Sequence, residues 1–214
     1  MEKFDRNVVQ AILFDVYGTL FDIGDRRAPY RQLLQLGVRQ GRNAGKADAG
    51  LLMRRPVGLE KATALLEISL TRAQLGHLEA ELAMELASVR PFADVVPALH
   101  ALRENGFKIG LCSNLAKDYA APVLAQLPFE LDAYAWSFEA GAIKPEPAIY
   151  AHVCRQLACA PGNVLMVGDT LKADVDGPRA FGMQALLLDR KQRGSSVASI
   201  SGLSALCVSL QGRK

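Results

Sequence analysis

Five short apolar runs, separated by helical patterns, constrain the fold of this 214-residue chain more than any other feature. Each run is bounded by Gly, Asp, Asn or Pro and is too short to form a free-standing helix. Their hydrophobicity is continuous rather than alternating, which is typical of strands that are covered on both faces of a parallel sheet. The runs are AILF (11–14), FKIGLC (107–112), AWSF (135–138), NVLMVG (163–168) and QALLLD (184–189).

Helical patterns alternate with these runs in the second half of the chain. They cover residues 95–105, 117–127, 146–157 and 172–182. Such alternation of strands and helices is typical of an α/β fold whose parallel strands are connected through helices. We therefore predict a core made of an open, doubly wound, Rossmann-like parallel sheet.

Residues 25–90 interrupt this alternation, because they contain helical patterns and no strand-like run. Thr71 has the residue type of an N-cap, and the leucines that follow it recur at helical spacing, as expected of a packed core. We predict an all-helical cap domain at 25–90, inserted into an α/β core built from 1–24 and 91–214. The leucines at helical spacing are Leu75, Leu78, Leu82 and Leu86.

Composition and charge narrow the range of partners. The net charge is +3 and the basic residues are scattered, so we predict no nucleic-acid surface. No apolar run approaches the ~20 residues that span a bilayer, and the N-terminal MEKFDRNVVQ does not resemble a signal peptide. The four cysteines lack CxxC spacing and are interpreted as buried thiols of a cytoplasmic protein. We expect a small anionic substrate and no membrane association. The sequence indicates nothing about the oligomeric state.

Polar residues stand where the predicted strands end. Asp15 ends the first run, Ser113 and Asn114 follow the second, Lys144 lies in GAIKPEPAIY, and Asp169 follows the fourth. In open α/β sheets, ligands bind at the carboxyl ends of the strands. One aspartate there could simply close a turn, but the recurrence of such residues predicts a functional site at this edge.

The segments DVYGTL, CSN, KPEP and GDTLKAD resemble, in this order, the four sequence motifs of the haloacid dehalogenase (HAD) superfamily. Residues 25–90 are similar to the helical cap of that superfamily. The resemblance implies that Asp15 is a nucleophile, whose covalent aspartyl intermediate divides a difficult displacement into two easier steps. It also implies that Ser113 hydrogen-bonds the transferring group, while Lys144 holds the nucleophile and offsets nearby charge.

The first motif carries Tyr17 where HAD phosphatases usually carry a second aspartate, two residues after the nucleophile. That aspartate serves as general acid for the leaving alcohol and then as base for water. A neutral tyrosine, with a reference pKa of about 10, is a poor substitute. FDVYGTLFD instead resembles the first motif of L-2-haloacid dehalogenases, where halide leaves without a proton. Tyr17, Thr19 and Asn114 match substrate-binding or pocket positions, although the last two could instead close turns.

The fourth motif favours a phosphatase. Dehalogenases typically carry a small neutral residue at the position of Asp169 and an asparagine soon after, where this chain has Leu171. Carboxylates at Asp15 and Asp169 would repel each other and raise the pKa of one of them. Mg²⁺, which prefers oxygen ligands, would relieve that repulsion. The resemblance implies a Mg²⁺ site formed by Asp15, Asp169, the main-chain carbonyl of Tyr17 and, directly or through water, Asp174.

The two motifs leave several functions open. The main hypothesis is Mg²⁺-dependent hydrolysis of a small phosphate ester through an aspartyl-phosphate intermediate. The first alternative is a metal-independent 2-haloacid dehalogenase, because Lys144 alone could offset some of the carboxylate charge. The second is a phosphate-ligand-binding protein with weak or no catalysis. A further hypothesis is the hydrolysis of C–P bonds.

Substrate choice would depend on side chains of the predicted cap. We expect its loops at 41–50 and 53–61, which are rich in Gly and basic residues, to meet an anionic substrate. A dehalogenase would need a cap arginine for the substrate carboxylate, and a C–P hydrolase would need a cap lysine for a Schiff base. The candidates are Arg31, Arg39 and Arg42 for the first and Lys46 and Lys61 for the second.

Overall fold

The computed structural model describes residues 5, 7–43, 46–192, 194 and 197–210, without the side chain of Lys46. Its strands are β1 (Ala11–Phe14), β2 (Phe21–Ile23), β3 (Val89–Pro91), β4 (Lys108–Ser113), β5 (Ala133–Trp136), β6 (Val164–Gly168), β7 (Gln184–Leu188) and β8 (Ser199–Ile200). Six of them form one parallel sheet in the order β5–β4–β1–β6–β7–β8. β1 therefore lies inside the sheet, between β4 and β6.

Helices connect the strands and cover the sheet, which confirms the predicted Rossmann-like α/β fold. A π-helical turn at Leu171–Asp176 follows β6, and a 3₁₀ turn at Lys117–Tyr119 follows β4. The helices are α1 (Pro29–Arg39), α2 (Lys46–Met53), α3 (Leu59–Leu65), α4 (Arg72–Ala87), α5 (Val95–Glu104), α6 (Ala121–Leu124), α7 (Ser137–Ala140), α8 (Pro147–Leu157), α9 (Gly177–Ala180) and α10 (Leu203–Leu210).

The alternating side chains of β1 enter two different cores. Ile12 and Phe14 belong to the core that contains α5 and α10. Ala11 and Leu13 belong to the core on the opposite face, which contains α8. Full burial of one large apolar side chain stabilises the fold by about 1.5–3 kcal/mol. Burial on both faces is the physical reason for the continuous apolar run.

The strand in the third apolar run begins earlier than predicted. The run covers 135–138, but β5 spans Ala133–Trp136, and the chain turns into α7 at Ser137. Pairing with β4 decides the register, since Ala133 lies opposite Gly110. Phe138 remains buried in the core from the helical turn, so the apolar pattern continues beyond the end of the strand.

Four helices, α1–α4, stand between β2 and β3, and we call them the helical insertion. They enclose a core of their own, which includes Leu33, Leu59 and Leu66. Thr71 caps α4 as predicted, because its side chain accepts from the N–H of Gln74 in a capping box. Of the four leucines at helical spacing, Leu78 and Leu82 are buried there, and Leu86 packs against them.

The insertion begins and ends at an antiparallel ribbon that we did not predict. β2 and β3 pair with Phe21 opposite Pro91 and Ile23 opposite Val89. Three-residue strands carry too few residues for a recognisable alternation, and the pairing partners are far apart in the chain. The division into a core (1–24 and 91–214) and a cap (25–90) remains a prediction.

None of the helices in the described part of the chain is both long and apolar enough to cross a bilayer. The cysteines are thiols rather than disulfides. Cys112 and Cys154 are buried, as predicted, whereas Cys159 and Cys207 are half-buried.

Candidate active site

Two aspartates lie side by side at the carboxyl edge of the sheet because the strands that precede them are neighbours. β1 and β6 run parallel with Phe14 opposite Val167, so the residues after both strands emerge at one edge. The N–H of Asp15 donates to the carbonyl of Val167 at 2.9 Å. Asp169 directly follows Gly168, the last residue of β6.

Asp174 joins these aspartates from the π-helical turn. One carboxylate oxygen from each of Asp15, Asp169 and Asp174 lies within 4.8 Å of the other two. The N–H of Thr170 donates to Asp174 Oδ2 at 2.9 Å, so the turn itself orients this side chain. Asp174 packs so closely over Gly168 that a Cβ at that position would overlap its carboxylate. We call these three aspartates the acidic cluster.

Gly18 lets the backbone after the predicted nucleophile approach the acidic cluster. Its φ of +89° is a conformation that side chains disfavour. A Cβ at this position would lie 2.7 Å from Asp169 Oδ2. The backbone at Gly18 therefore borders the cluster, as a main-chain ligand at Tyr17 would require.

Lys144 is a cation buried against this cluster, with only 4% of the residue exposed. Its Nζ donates to Asp15 Oδ1 at 2.7 Å and to Asp174 Oδ1 at 2.6 Å. Burial by itself would lower the pKa of Lys144, but the two carboxylates outweigh burial and raise it above the ordinary value. Burial also raises the pKa of Asp174 to about 6, against the attraction of Lys144. Both groups are therefore mainly charged at neutral pH.

The acidic cluster holds three carboxylates close together. Lys144 pairs with Asp15 and Asp174, and the carboxylate of Asp169 lies beside both of them. Negative charges held this close in a mostly buried site repel one another. A divalent cation with a preference for oxygen ligands, such as Mg²⁺, fits the three convergent carboxylates. Asp15, Asp169 and Asp174 are the side chains that could hold it.

Ser113 and Asn114 hold the predicted nucleophile and the lysine, respectively. Ser113 Oγ donates to Asp15 Oδ1 at 3.0 Å from the end of β4. The side chain of Asn114 binds the backbone of Lys144 twice: Nδ2 donates to its carbonyl at 2.9 Å, and Oδ1 accepts from its N–H at 2.7 Å. Asn114 thus positions Lys144, while contact of Asn114 with substrate stays a prediction.

Thr19 is fully buried in the turn after Gly18. Within the described part of the chain, its hydroxyl has no hydrogen-bond partner. Its carbonyl accepts from Nε of Arg190 at 2.9 Å, and the same guanidinium binds both oxygens of Asp94. These contacts anchor the turn from the far side, and the predicted pocket role of Thr19 stays a prediction.

Comparison with known proteins identifies the family. A family model described as haloacid dehalogenase-like hydrolase matches residues 9–182. The chain belongs to this family. Its membership confirms the resemblance carried by the four motifs, and it assigns the chain to the hydrolases.

Both phosphatases and dehalogenases are similar to this hydrolase. A glyceraldehyde 3-phosphate phosphatase from Methanopyrus kandleri is 33% identical over 108 residues, which cover 50% of this hydrolase and 46% of that protein. The matched region is thus about half of that relative's length. Haloacetate dehalogenase H-2 from Moraxella sp. is 26% identical over 85% of this hydrolase and 86% of that protein. The crystal structure of a HAD phosphatase from Thermococcus onnurineus shares 26% identity and a TM-score of 0.65, covering 95% of this hydrolase and 99% of that chain.

Phosphatase names predominate among the similar curated proteins, which favours a hydrolase of the phosphatase type. The acidic cluster agrees with that preference, since Asp169 is its member with no counterpart in the dehalogenase pattern of the fourth motif. Tyr17 remains the departure from the phosphatase pattern.

The hydroxyl of Tyr17 is directed at another tyrosine of the hydrolase. It donates to the main-chain carbonyl of Tyr119 at 2.7 Å, and the two rings meet edge to face with centroids 5.9 Å apart. Burial, reinforced by the negative charge of Glu85, raises the pKa of Tyr17 above its ordinary value. A neutral hydroxyl that is already bonded in this way is a poor proton shuttle.

Three carboxylates also join the helical insertion to the rest of the hydrolase, and we did not predict them. Glu85 of α4 accepts from the hydroxyl of Tyr119 at 2.7 Å and from the N–H groups of Arg27 and Ala28, both at 2.5 Å. A sequence signal exists, because residue 85 continues the face of Leu78 and Leu82 at helical spacing. A glutamate on an apolar helix face predicts a buried, hydrogen-bonded carboxylate.

Two further carboxylates make contacts across the same boundary. Asp118 accepts from the hydroxyl of Tyr30 at 2.5 Å and from the N–H of Leu59 at 3.1 Å. Arg54 of α2 pairs with Glu146, two residues after Lys144. We call Glu85, Asp118 and Glu146, with these partners, the seam. No local pattern marks Asp118 or Glu146, because their partners come from distant parts of the chain.

The cap residues proposed for substrate have different environments. Arg42 binds Asp48 and the carbonyl of Leu66, so its guanidinium is engaged within the insertion. Arg31 and Arg39 are exposed on α1, and Lys61 is exposed on α3. The side chain of Lys46 and residues 44 and 45 of the first loop lie outside the described residues. The loop at 53–61 borders an open groove together with Lys117 and Asp118.

Proposed function

We propose that this hydrolase releases phosphate from small phosphate esters in a Mg²⁺-dependent reaction with Asp15 as nucleophile. The observation that carries the proposal is the acidic cluster, in which oxygens of three carboxylates at the carboxyl edge of the sheet lie within 4.8 Å of one another. Mg²⁺ held by Asp15, Asp169, the main-chain carbonyl of Tyr17 and, directly or through water, Asp174 would offset negative charge on the phosphoryl oxygens.

The contacts of Asp15 support its role as nucleophile. Ser113 and Lys144 both donate to Oδ1, which fixes the plane of the carboxylate before substrate arrives. A nucleophile held in this way needs little reorganisation to reach the phosphorus atom in line with the leaving group. The same ammonium and hydroxyl lie beside Asp15, where they would hydrogen-bond the transferred phosphoryl oxygens.

The reaction would proceed in two displacements. In the first, an oxygen of Asp15 bonds to phosphorus while the P–O bond to the leaving group breaks, and the leaving group takes the electron pair. In the second, water attacks the same phosphorus and the P–O bond to Asp15 breaks. The carboxylate of Asp15 is then restored, and inorganic phosphate leaves.

Turnover assays test the proposal directly. Phosphate release from an aryl phosphate is measured with Mg²⁺ and again after its removal by EDTA. We expect release that requires Mg²⁺ and returns when Mg²⁺ is added back. Release at the same rate in EDTA would contradict the metal site. Retained phosphate binding without turnover on any substrate would instead support the non-catalytic alternative.

Dehalogenation of a small 2-halo acid is the second candidate, and Tyr17 favours it because halide leaves without a proton. The similarity to haloacetate dehalogenase H-2 is consistent with this reading. The acidic cluster opposes it, since three convergent carboxylates would repel the carboxylate of a 2-halo acid. Halide release from 2-chloropropionate in EDTA, without phosphate release in Mg²⁺, would establish the dehalogenase.

A further inference from the structure

The position that normally supplies a proton in this active site holds a hydroxyl whose proton is already donated. Tyr17 lies two residues after Asp15, and its hydroxyl donates to the carbonyl of Tyr119 at 2.7 Å. The edge-to-face contact with the Tyr119 ring fixes its side chain in this direction. To protonate a leaving group, Tyr17 would have to break that bond and leave a half-buried carbonyl without its partner.

The three histidines lie elsewhere in the fold. His77 is on α4, where it borders a small groove with Gln32 of α1. The ring of His100 packs against Phe129, and His152 is bonded to Gln156 on α8. Imidazole is the commonest general acid in enzymes, but each of these three rings contacts or borders residues outside the acidic cluster.

The carboxylates of the seam are hydrogen-bond acceptors in this structure. Glu85 accepts from three donors through its two oxygens. Asp118 accepts from Tyr30 and Leu59 through Oδ2. Glu146 pairs with Arg54 and accepts from the N–H of Ile143. To act on a leaving group, each of these carboxyls would have to give up hydrogen bonds that it accepts here.

The remaining carboxylates close to Asp15 belong to the acidic cluster. Asp174 accepts from Lys144 and from the N–H of Thr170, and Asp169 accepts from the hydroxyl of Thr170 at 3.2 Å. Under the proposed function, these side chains face a cation rather than a leaving group. Among the residues that the structure describes, no carboxylic acid or imidazole is thus placed to give a proton to a departing group.

We propose that the hydrolase selects phosphoryl donors whose leaving group departs as a stable anion, with acyl phosphates as the preferred class over alkyl phosphates. This inference rests on the proposed phosphatase function. A carboxylate leaves with a conjugate-acid pKa of about 4 and a phenolate with about 10. An alkoxide, whose conjugate acid is close to water at about 16, departs far more slowly without a proton.

The bonds that form and break in the first displacement support this preference for acyl phosphates. Asp15 bonds to phosphorus, the P–O bond to the acyl group breaks, and the carboxylate leaves with the electron pair and no proton. With an alkyl phosphate the same bond would have to release an alkoxide. A positioned general acid contributes about 10²- to 10⁴-fold to such a step, and that factor is absent here.

The second displacement lacks a base for the same reason. When water attacks the aspartyl phosphate, its protons pass to the phosphate oxygens and to solvent, while Asp15 recovers its carboxylate. We therefore expect this step to be slower than the first one for donors with good leaving groups. The aspartyl phosphate should then accumulate, so that leaving-group release shows a burst before the steady state.

The test compares kcat/KM for acetyl phosphate, a series of substituted aryl phosphates and ethyl phosphate in Mg²⁺, with Asp15→Asn protein as the blank. We expect rates that fall steeply with the leaving-group pKa. In Tyr17→Asp, which restores a carboxyl at this position, the ratio of acetyl to ethyl phosphate rates should fall by about 10²-fold or more. Tyr17→Phe removes the hydroxyl without adding an acid, so its slope should stay as steep as that of the native protein.

Several outcomes would overturn the inference. A shallow slope in the native protein would show that a proton donor operates, and a steeper slope in Tyr17→Phe would identify Tyr17 as that donor. A rapid-quench measurement on the native protein needs no variant: absence of a burst and of acid-stable phosphoprotein with the best aryl phosphate would refute the slow second step. If no donor at all were hydrolysed in Mg²⁺, the proposed function itself would fail. Equal rates for all donors would refute the leaving-group selectivity but not the proposed phosphatase function.

Discussion

The acidic cluster and the seam both hold carboxylates inside the fold, but in different arrangements. At the seam, Glu85 accepts from a tyrosine hydroxyl and two backbone N–H groups, and Asp118 accepts from a tyrosine hydroxyl and one backbone N–H. In the acidic cluster, Lys144 pairs with two carboxylates, and Asp169 brings a third carboxylate within 4.8 Å of them. The seam carboxylates are separate and bind donors of the chain, whereas the three cluster carboxylates converge in a way that suits a cation.

This difference separates a structural use of buried charge from a functional one. Buried charges that only stabilise a fold are paired or fully hydrogen-bonded, because an unpaired one is costly. Like charges that are held close together cost stability, and such clusters concentrate at functional sites. Substitutions in the cluster and in the seam should therefore have different effects on activity and stability.

The largest effect is expected for Asp15→Asn in the acidic cluster. Asparagine keeps the size of the side chain but cannot attack phosphorus, so kcat for phosphate release should fall by at least about 10³-fold. The matched control is Asp22→Asn, since Asp22 is an exposed aspartate on β2 that pairs with Arg26 at the surface. We expect the control to keep its activity within about twofold. Full activity in Asp15→Asn would rule out this nucleophile.

Lys144→Met should reduce stability more than any change at the seam. It leaves the carboxylates of Asp15 and Asp174 buried without their cation, for which a loss of about 3–5 kcal/mol is typical. The measurement is the free energy of unfolding in urea at pH 7 in EDTA. Lys172→Met removes an exposed lysine from the same π-helical turn as Asp174 and should change stability by less than about 0.5 kcal/mol. Equal losses in the two variants would contradict the charge balance described here.

Glu85→Gln tests the seam. The amide has one oxygen in place of two, so it cannot accept both from Tyr119 and from the N–H groups of Arg27 and Ala28. We expect the free energy of unfolding to fall by about 2 kcal/mol. Glu79→Gln on the exposed side of α4 is the control and should cost less than about 0.5 kcal/mol. Leaving-group selectivity should be unchanged in Glu85→Gln. A loss of stability no larger than in the control would show that the Glu85 contacts contribute little.

The smallest effect concerns pH. The pKa of Asp174 is about 6 in the folded protein and about 4 when unfolded, so the folded protein binds more protons in this range. Stability in EDTA should therefore increase as the pH falls from 7 to 5, and Asp174→Asn should lose about 1 kcal/mol of that increase. A pH dependence identical to that of the native protein would contradict the raised pKa.

Asp94 provides the control for that measurement, because its pKa is shifted in the direction opposite to that of Asp174. Burial opposes ionisation of Asp94, but hydrogen bonds from Arg190 and from the N–H of Leu203 outweigh it and hold its pKa below the ordinary value. Its contribution to stability is present above pH ~4 and is lost only at lower pH. Asp94→Asn should therefore leave the difference between pH 5 and pH 7 unchanged.

The sequence by itself determined the class of fold and the members of the candidate site. β1, β4, β6 and β7 carry continuous apolar runs because both faces of each strand are buried, and that requirement is visible residue by residue. In a parallel sheet all strands present their carboxyl ends at one edge. Polar residues that follow β1, β4 and β6 must therefore lie at the same edge. Asp15, Ser113 and Asp169 could therefore be grouped without coordinates.

Only the tertiary structure decided how those members are bonded. The hydroxyl of Tyr17 reaches a carbonyl 102 residues away, and Asn114 holds the backbone of Lys144 across 30 residues. The ribbon of β2 and β3 likewise joins segments with no shared pattern. Contacts between distant residues depend on where packing places their backbones, and that placement leaves no local signature in the amino-acid order.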